Sequence, residues 1–123
     1  MTGVQTCALP ICKAEIRNLT VTTAPTGTQT ATITLNGQAF NITLTTSTST
    51  SYTAQQIAAL LQADPVAGQL WNIQACDSIV TFVYYSPGAK SGAYSFSSTG
   101  SGTIAVASFS QVTAGVTPED NWT

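Results

Sequence analysis

The side chains able to do chemistry are few, and their spacing is poor. Cys7 and Cys12 are separated by four residues, an interval a zinc site can use. Zinc wants about four thiolate or imidazole ligands, however, and the chain has no histidine and only Cys76 beyond the pair. A redox Cys-X-X-Cys needs two intervening residues, not four. Cys76 has no histidine, lysine or arginine near it in sequence to stabilise a thiolate, so it reads as a buried or half-buried structural cysteine. Without histidine the commonest general base is missing. The acids are Glu15, Asp64, Asp77, Glu119 and Asp120. Asp64 precedes Pro65, Asp77 falls in a tight turn, and the others lie toward the ends. An Asp64/Asp77 pair for glycoside hydrolysis has no supporting feature. No catalytic, cofactor-binding or metal-ligating residue is therefore assigned, and the chain is read as non-enzymatic. What remains is aromatic. Tyr84, Tyr85 and Tyr94, with Trp71, could offer a platform to the apolar faces of a sugar; in the competing arrangement Trp71 and Phe82 fill the core. Consecutive Tyr84 and Tyr85 on a strand point to opposite faces, so one ring faces outward, toward a neighbouring subunit or a ligand. Tyr84, Tyr85 and Tyr94 form the candidate contact surface.

Composition narrows the partners. The chain is 43% apolar, enough for a core, yet only 7% charged, against about 25% in ordinary soluble domains. Solubility must rest on the hydroxyls and amides of Thr, Ser, Gln and Asn. Net charge is −2, with Lys13, Arg17 and Lys90 the only cations. That argues against nucleic acid, because neutralising a phosphate backbone takes several clustered cations. No apolar run approaches the roughly 20 residues of a membrane-spanning helix. Asn-X-Thr occurs at Asn18, Asn41 and Asn121, as chance predicts in a threonine-rich chain.

The first twelve residues differ in kind from the rest of the chain. They lack the basic start of a secretory signal, and the run Ala8-Leu9-Pro10-Ile11 falls short of the about 7–15 apolar residues one needs. Residues 1–11 instead resemble, in order, the translation of a common sequencing-library adapter read from a GTG start codon. Cys12 is compatible with the hybrid codon after it. The expectation is a non-native leader over 1–12, whose removal leaves stability unchanged, and native sequence from about Lys13. Residues 114–123 are expected to be a junction to a further domain.

Between these ends the elements are legible. Residues 13–28 read as an approach segment, with Ile16, Leu19 and Val21 marking a short strand and Ala24-Pro25-Thr26-Gly27 a turn or linker. Residues 30–35 and 38–44 flank Asn36-Gly37, the preferred pair for a two-residue hairpin turn. That register sets Leu35 against Gln38, Ile33 against Phe40 and Ala31 against Ile42, with threonines and Asn41 on the other face. The Thr/Ser run 45–51 reads as a strand continuation and loop, since seven residues is short for an O-glycosylated stalk. A helix comes next, with Thr53 and Gln56 as a capping box, Tyr52 as a staple onto Ile57, and an apolar stripe of Ala54, Ile57, Ala58, Leu60 and Leu61. Asp64-Pro65 ends it, and the Ile33/Phe40 face of the hairpin is the expected packing partner. Trp71, Ile73 and Ala75 alternate as a strand; 79–85 is a nearly continuous apolar strand, central or with an aromatic outer face. Residues 94–96 and 103–109 complete the set around the turn 99–102. The expected fold is α+β: an antiparallel sheet of about five strands with one helix packed on one face, in the order β-β-α-β-β-β, with the module spanning 29–113.

The hairpin "ATITLNGQAFNITLT", the Thr/Ser stretch, the helix "YTAQQIAALLQAD", the strands "WNIQA" and "SIVTFVYY" and the loop "SPGAKSGAY" together resemble a module of tailed-bacteriophage virion structural proteins, of tail and sheath type. The resemblance covers about two thirds of the chain, residues 28–112. It implies a compact α+β unit from an environmental, metagenomic fragment that acts in particle or tail assembly. Its partners would be other virion subunits, as a homo-oligomer in the full-length protein, and its location the virion. The alternative is a secreted or cell-surface adhesion module that binds glycan through exposed tyrosines.

Overall fold

The computed structural model describes residues 13–116. The leader with Cys7 and Cys12, and Glu119, Asp120, Asn121 and Trp122 of the expected junction, lie outside the described residues. In chain order the elements are β1 (Ala14–Thr23), β2 (Gln29–Leu35), β3 (Gln38–Leu44), α1 (Thr50–Ala63), the single turn α2 (Ala67–Leu70), β4 (Trp71–Cys76), β5 (Ile79–Pro87), β6 (Ser95–Gly100) and β7 (Val106–Thr113).

The chain is α+β with antiparallel pairing and one main helix, but the strands form two sheets rather than one of about five. A four-stranded sheet runs β4-β5-β1-β7 and a three-stranded sheet runs β3-β2-β6. Two features account for the difference. Residues 13–28, expected to lead into the module with a short strand, supply the ten-residue β1, which pairs with both β5 and β7 at the centre of the larger sheet. Its alternation buries Glu15, Leu19 and Val21 on one face. The second feature concerns the last two strands, which do not form a hairpin with each other. β6 joins β2, β7 joins β1, and the connection between them crosses from one sheet to the other. Gln29 holds that crossing. Its buried side chain donates to the carbonyls of Ser101 (2.9 Å) and Thr103 (2.8 Å) and accepts from Ala105 N–H (3.0 Å) and Ser98 Oγ (2.7 Å). Residues 103–105, expected to be strand, are thus a tethered loop, and the strand begins at Val106.

The β2–β3 hairpin has the register its turn dictates: Leu35 pairs with Gln38, Ile33 with Phe40 and Ala31 with Ile42. Asn36 and Gly37 take φ of 51° and 84°, the left-handed pair that a two-residue turn requires and that Asn-Gly adopts most readily. The helix starts earlier than expected. Ser49, not Thr53, is the N-cap, with Oγ accepting from Tyr52 N–H (3.1 Å). Thr53 lies inside the first turns, buried, and its hydroxyl donates to the Ser49 carbonyl (3.0 Å). In a Thr/Ser run several hydroxyls can cap, and tertiary contacts select among them. Tyr52 is exposed and Gln56 turns to Thr45, so neither staple nor capping box forms. Asp64 closes the helix as expected.

Helix α1 buries Ala54, Ile57, Ala58 and Leu61 but leaves Leu60 at the surface. Its main partner is β4, not the Ile33/Phe40 face, with further contact to β1, β3 and β5. The reason is topological. The helix links β3, an edge of one sheet, to β4, an edge of the other, and fills the gap between them. On the opposite side β6 and β7 run beside one another. A single core draws on both sheets and the helix, with Trp71, Phe82, Leu19, Ile33, Leu35, Leu44, Ile57 and Leu61 fully buried.

Candidate contact surface

Period-two alternation on β4 and β5 divides the candidate residues. Trp71, Ile73 and Ala75 face the core with Val80, Phe82 and Tyr84, while Asn72, Gln74, Cys76, Ile79, Thr81, Val83 and Tyr85 face away. Cys76, expected to be buried or half-buried, is therefore exposed at the end of β4.

The three candidate tyrosines do not share a surface. Tyr85 is 58% exposed on the outer face of the larger sheet. Tyr84 and Tyr94 are half-buried against the core. Tyr84 stacks edge-on to Trp71 at 4.7 Å between centroids, and Tyr94 meets Trp71 at 6.1 Å and Phe109 at 5.8 Å. The two pairs with Trp71 are edge-to-face, an arrangement that adds about 0.5–1.5 kcal/mol beyond area burial. These two rings are engaged in holding the fold's end together.

At that end the structure assembles a polar cluster that none of the sequence motifs announced. Glu15 points inward from β1, its side chain 1% exposed. Its Oε2 accepts from Arg17 Nε (2.7 Å) and Gln111 Nε2 (2.7 Å), and its Oε1 accepts from the backbone N–H of Gly115 (2.8 Å) and Lys90 (3.3 Å). Burial pushes this carboxyl up, but the four hydrogen bonds outweigh it and hold the group below its ordinary value of 4.5. The Arg17 guanidinium lies 4.0 Å from the centroid of the Tyr94 ring, and Lys90 Nζ lies 4.6 Å from that of Tyr84. The Tyr94 hydroxyl donates to the Lys90 carbonyl (2.6 Å). Burial, with Glu15 adding and Arg17 opposing, pushes the Tyr94 phenol up to about 12. One clue lay in the sequence: Glu15, Arg17, Leu19 and Val21 alternate, which puts an acid and a base on the same face as two core residues.

The cluster is a clasp. It ties β1 to the 88–94 loop and to the chain after β7, and its donors and acceptors meet one another. The remaining described acids also have local partners. Asp64 Oδ1 accepts from Val66 N–H (2.8 Å) and Ala67 N–H (3.0 Å), and Asp77 Oδ1 accepts from Ser51 Oγ (2.9 Å). Among the described residues there is no pocket and no group of three or more metal-ligating side chains. No described helix is long and apolar enough to cross a membrane.

The outer face of the β3-β2-β6 sheet is chemically uniform. Register aligns Ala39, Thr34 and Ser95 in one row, Asn41, Thr32 and Ser97 in the next, and Thr43, Thr30 and Thr99 in a third. From residue 18 to residue 63 the chain has no Asp, Glu, Lys or Arg at all. Neither the β2–β3 hairpin nor α1 therefore carries a charged side chain. No family model matches this chain, and no curated protein is significantly similar to it.

Proposed function

We propose that this chain is a structural module of a tailed-bacteriophage particle, acting in tail or particle assembly and without catalysis. The observation that carries the reading is the charge-free hairpin and helix. Monomeric proteins usually keep charge on exposed strands to discourage association. A surface of threonine, serine and asparagine on an antiparallel sheet suits repeated contact with like subunits instead. The resemblance of residues 28–112 to virion modules supports the same reading. The adhesion alternative has weaker support, because Tyr85 alone among the three tyrosines offers an exposed ring. Long-read sequencing of the source locus tests the proposal. Capsid, portal or tail genes beside this reading frame are the expected result, and a neighbourhood without any of them would sink it.

A further inference from the structure

We propose that the outward edge of β3 pairs antiparallel with β3 of a second copy, about a two-fold axis through Asn41. The inference rests on the reading of the chain as an assembly module and names the surface it would use. The two-residue turn makes Leu35 and Gln38 a hydrogen-bonded pair, so β3 bonds β2 through Gln38, Phe40, Ile42 and Leu44. The amides and carbonyls of Ala39, Asn41 and Thr43 then point away from the sheet. Among the described residues no hydrogen bond reaches these backbone groups.

Edges in monomers are normally blunted by charge, proline, bulges or a covering element. Here the other edges are. β4 lies under α1, and Gln62 Oε1 accepts its Ile73 N–H (2.9 Å). β7 breaks register with β1 at two places, and β6 runs beside β7. β3 carries no charge, proline or bulge, and α1, though it packs against β3, takes none of its outward backbone groups among the described residues. Its seven pairs with β2 run without a register shift, and "QAFNITL" holds no charge and no proline. The helix bonds the backbone only beyond the end of this strand, where Gln56 Oε1 accepts from Thr45 N–H (3.0 Å).

A second copy fits this edge chemically. Pairing centred on Asn41 sets Ala39 opposite Thr43 of the partner subunit and Asn41 opposite Asn41 of the partner subunit. All the outward backbone groups then meet, in about six interchain hydrogen bonds, two for each narrow pair. Faces are preserved, because the paired positions are all of one parity. No like charges meet, since the strand has none. Phe40 falls opposite Ile42 of the partner subunit, and these two are the most exposed core residues of the sheet, at 6% and 8%. The product is a six-stranded sheet, β6-β2-β3-β3-β2-β6, closed by an isologous contact.

Sedimentation equilibrium on the full chain tests this. The weight-average mass should rise with concentration from 12.7 kDa toward twice that value. Ala39→Lys with Thr43→Lys puts like charges opposite each other twice and should weaken the dimer by roughly tenfold or more. Ala39→Lys with Thr43→Glu, similar in bulk, turns both contacts into ion pairs and should keep it. Both positions are exposed, so near-ultraviolet circular dichroism should be unchanged. Should the lysine pair fold poorly, Asn41→Lys alone sets like charges on the axis and should weaken the dimer in the same direction. A wild-type chain monomeric at every concentration overturns the proposal. So does a lysine-pair variant that dimerises like wild type, or a Lys/Glu variant as monomeric as the lysine pair. None of these results bears on the gene neighbourhood, so the edge can fail while the assembly reading stands.

Discussion

Glu15 shows how one side chain can organise an end of a molecule that is short of charge. A buried carboxylate is tolerated only when its hydrogen bonds replace the lost water, and here two side chains and two backbone amides do so. Because its folded pKa is depressed, its stabilisation is fully present above the unfolded value near 4.5 and is lost as pH falls through the folded value. Urea denaturation should therefore give falling stability below about pH 4.5, and Glu15→Gln should flatten that limb. At neutral pH the same substitution should cost about 3 kcal/mol, as breaking one partner of a buried pair does. Tyr94 has the opposite sign. Its phenol is raised to about 12, so its contribution is present below the unfolded value near 10 and is lost as pH rises toward 12. A spectrophotometric titration should find one tyrosine ionising near 12, and Tyr94→Phe should remove that step.

At the scale of elements, the β2–β3 hairpin is the best-determined piece. Turn chemistry and alternation agree there, so local preference and tertiary burial reinforce each other. Ile33 is completely buried, and Ile33→Ala should cost about 2–5 kcal/mol in thermal or urea unfolding, the usual range for a core truncation of this size. A cost under about 0.5 kcal/mol, as for a surface position, would contradict its placement. Helix α1 owes its N-terminus to Ser49, and Ser49→Ala should cost about 1 kcal/mol, whereas a capping role for Thr53 would leave Ser49→Ala silent. The helix also serves the strands. Its glutamines meet the backbone beyond β3 and on β4, so it closes the gap between the two sheet edges as well as covering the core.

For the whole molecule the central fact is that β1, near the start of the described residues, holds β5 and β7 together. A chain beginning at residue 24 loses both ladders and the clasp, and should show neither native circular dichroism nor dispersed amide resonances. The clasp ties β1 to the 88–94 loop and to Gly115, and Lys13 bridges to Val116. The two ends of the described chain thus lie against each other. This closure leaves the opposite sheet, β3-β2-β6, as a separate uncharged surface.

Much of this was legible in the residues alone. The hairpin register follows from Asn36-Gly37, the helix from its stripe and the Asp64-Pro65 stop, and the strand of Trp71, Ile73 and Ala75 from alternation. These are local signals, and a two-residue turn or a proline constrains the backbone whatever surrounds it. Ser49 over Thr53, the exposure of Cys76, the placing of Tyr94 beside Tyr84 on the core side, and the split into two sheets were decided by tertiary structure. Strand periodicity says which side chains share a face but not which strand lies beside it. An isolated "EIRNLTV" therefore cannot announce that it is the centre of a sheet, nor that its glutamate will meet amides about 75 and 100 residues away. Long-range pairing made that choice, because only in the closed fold do those donors surround the carboxylate.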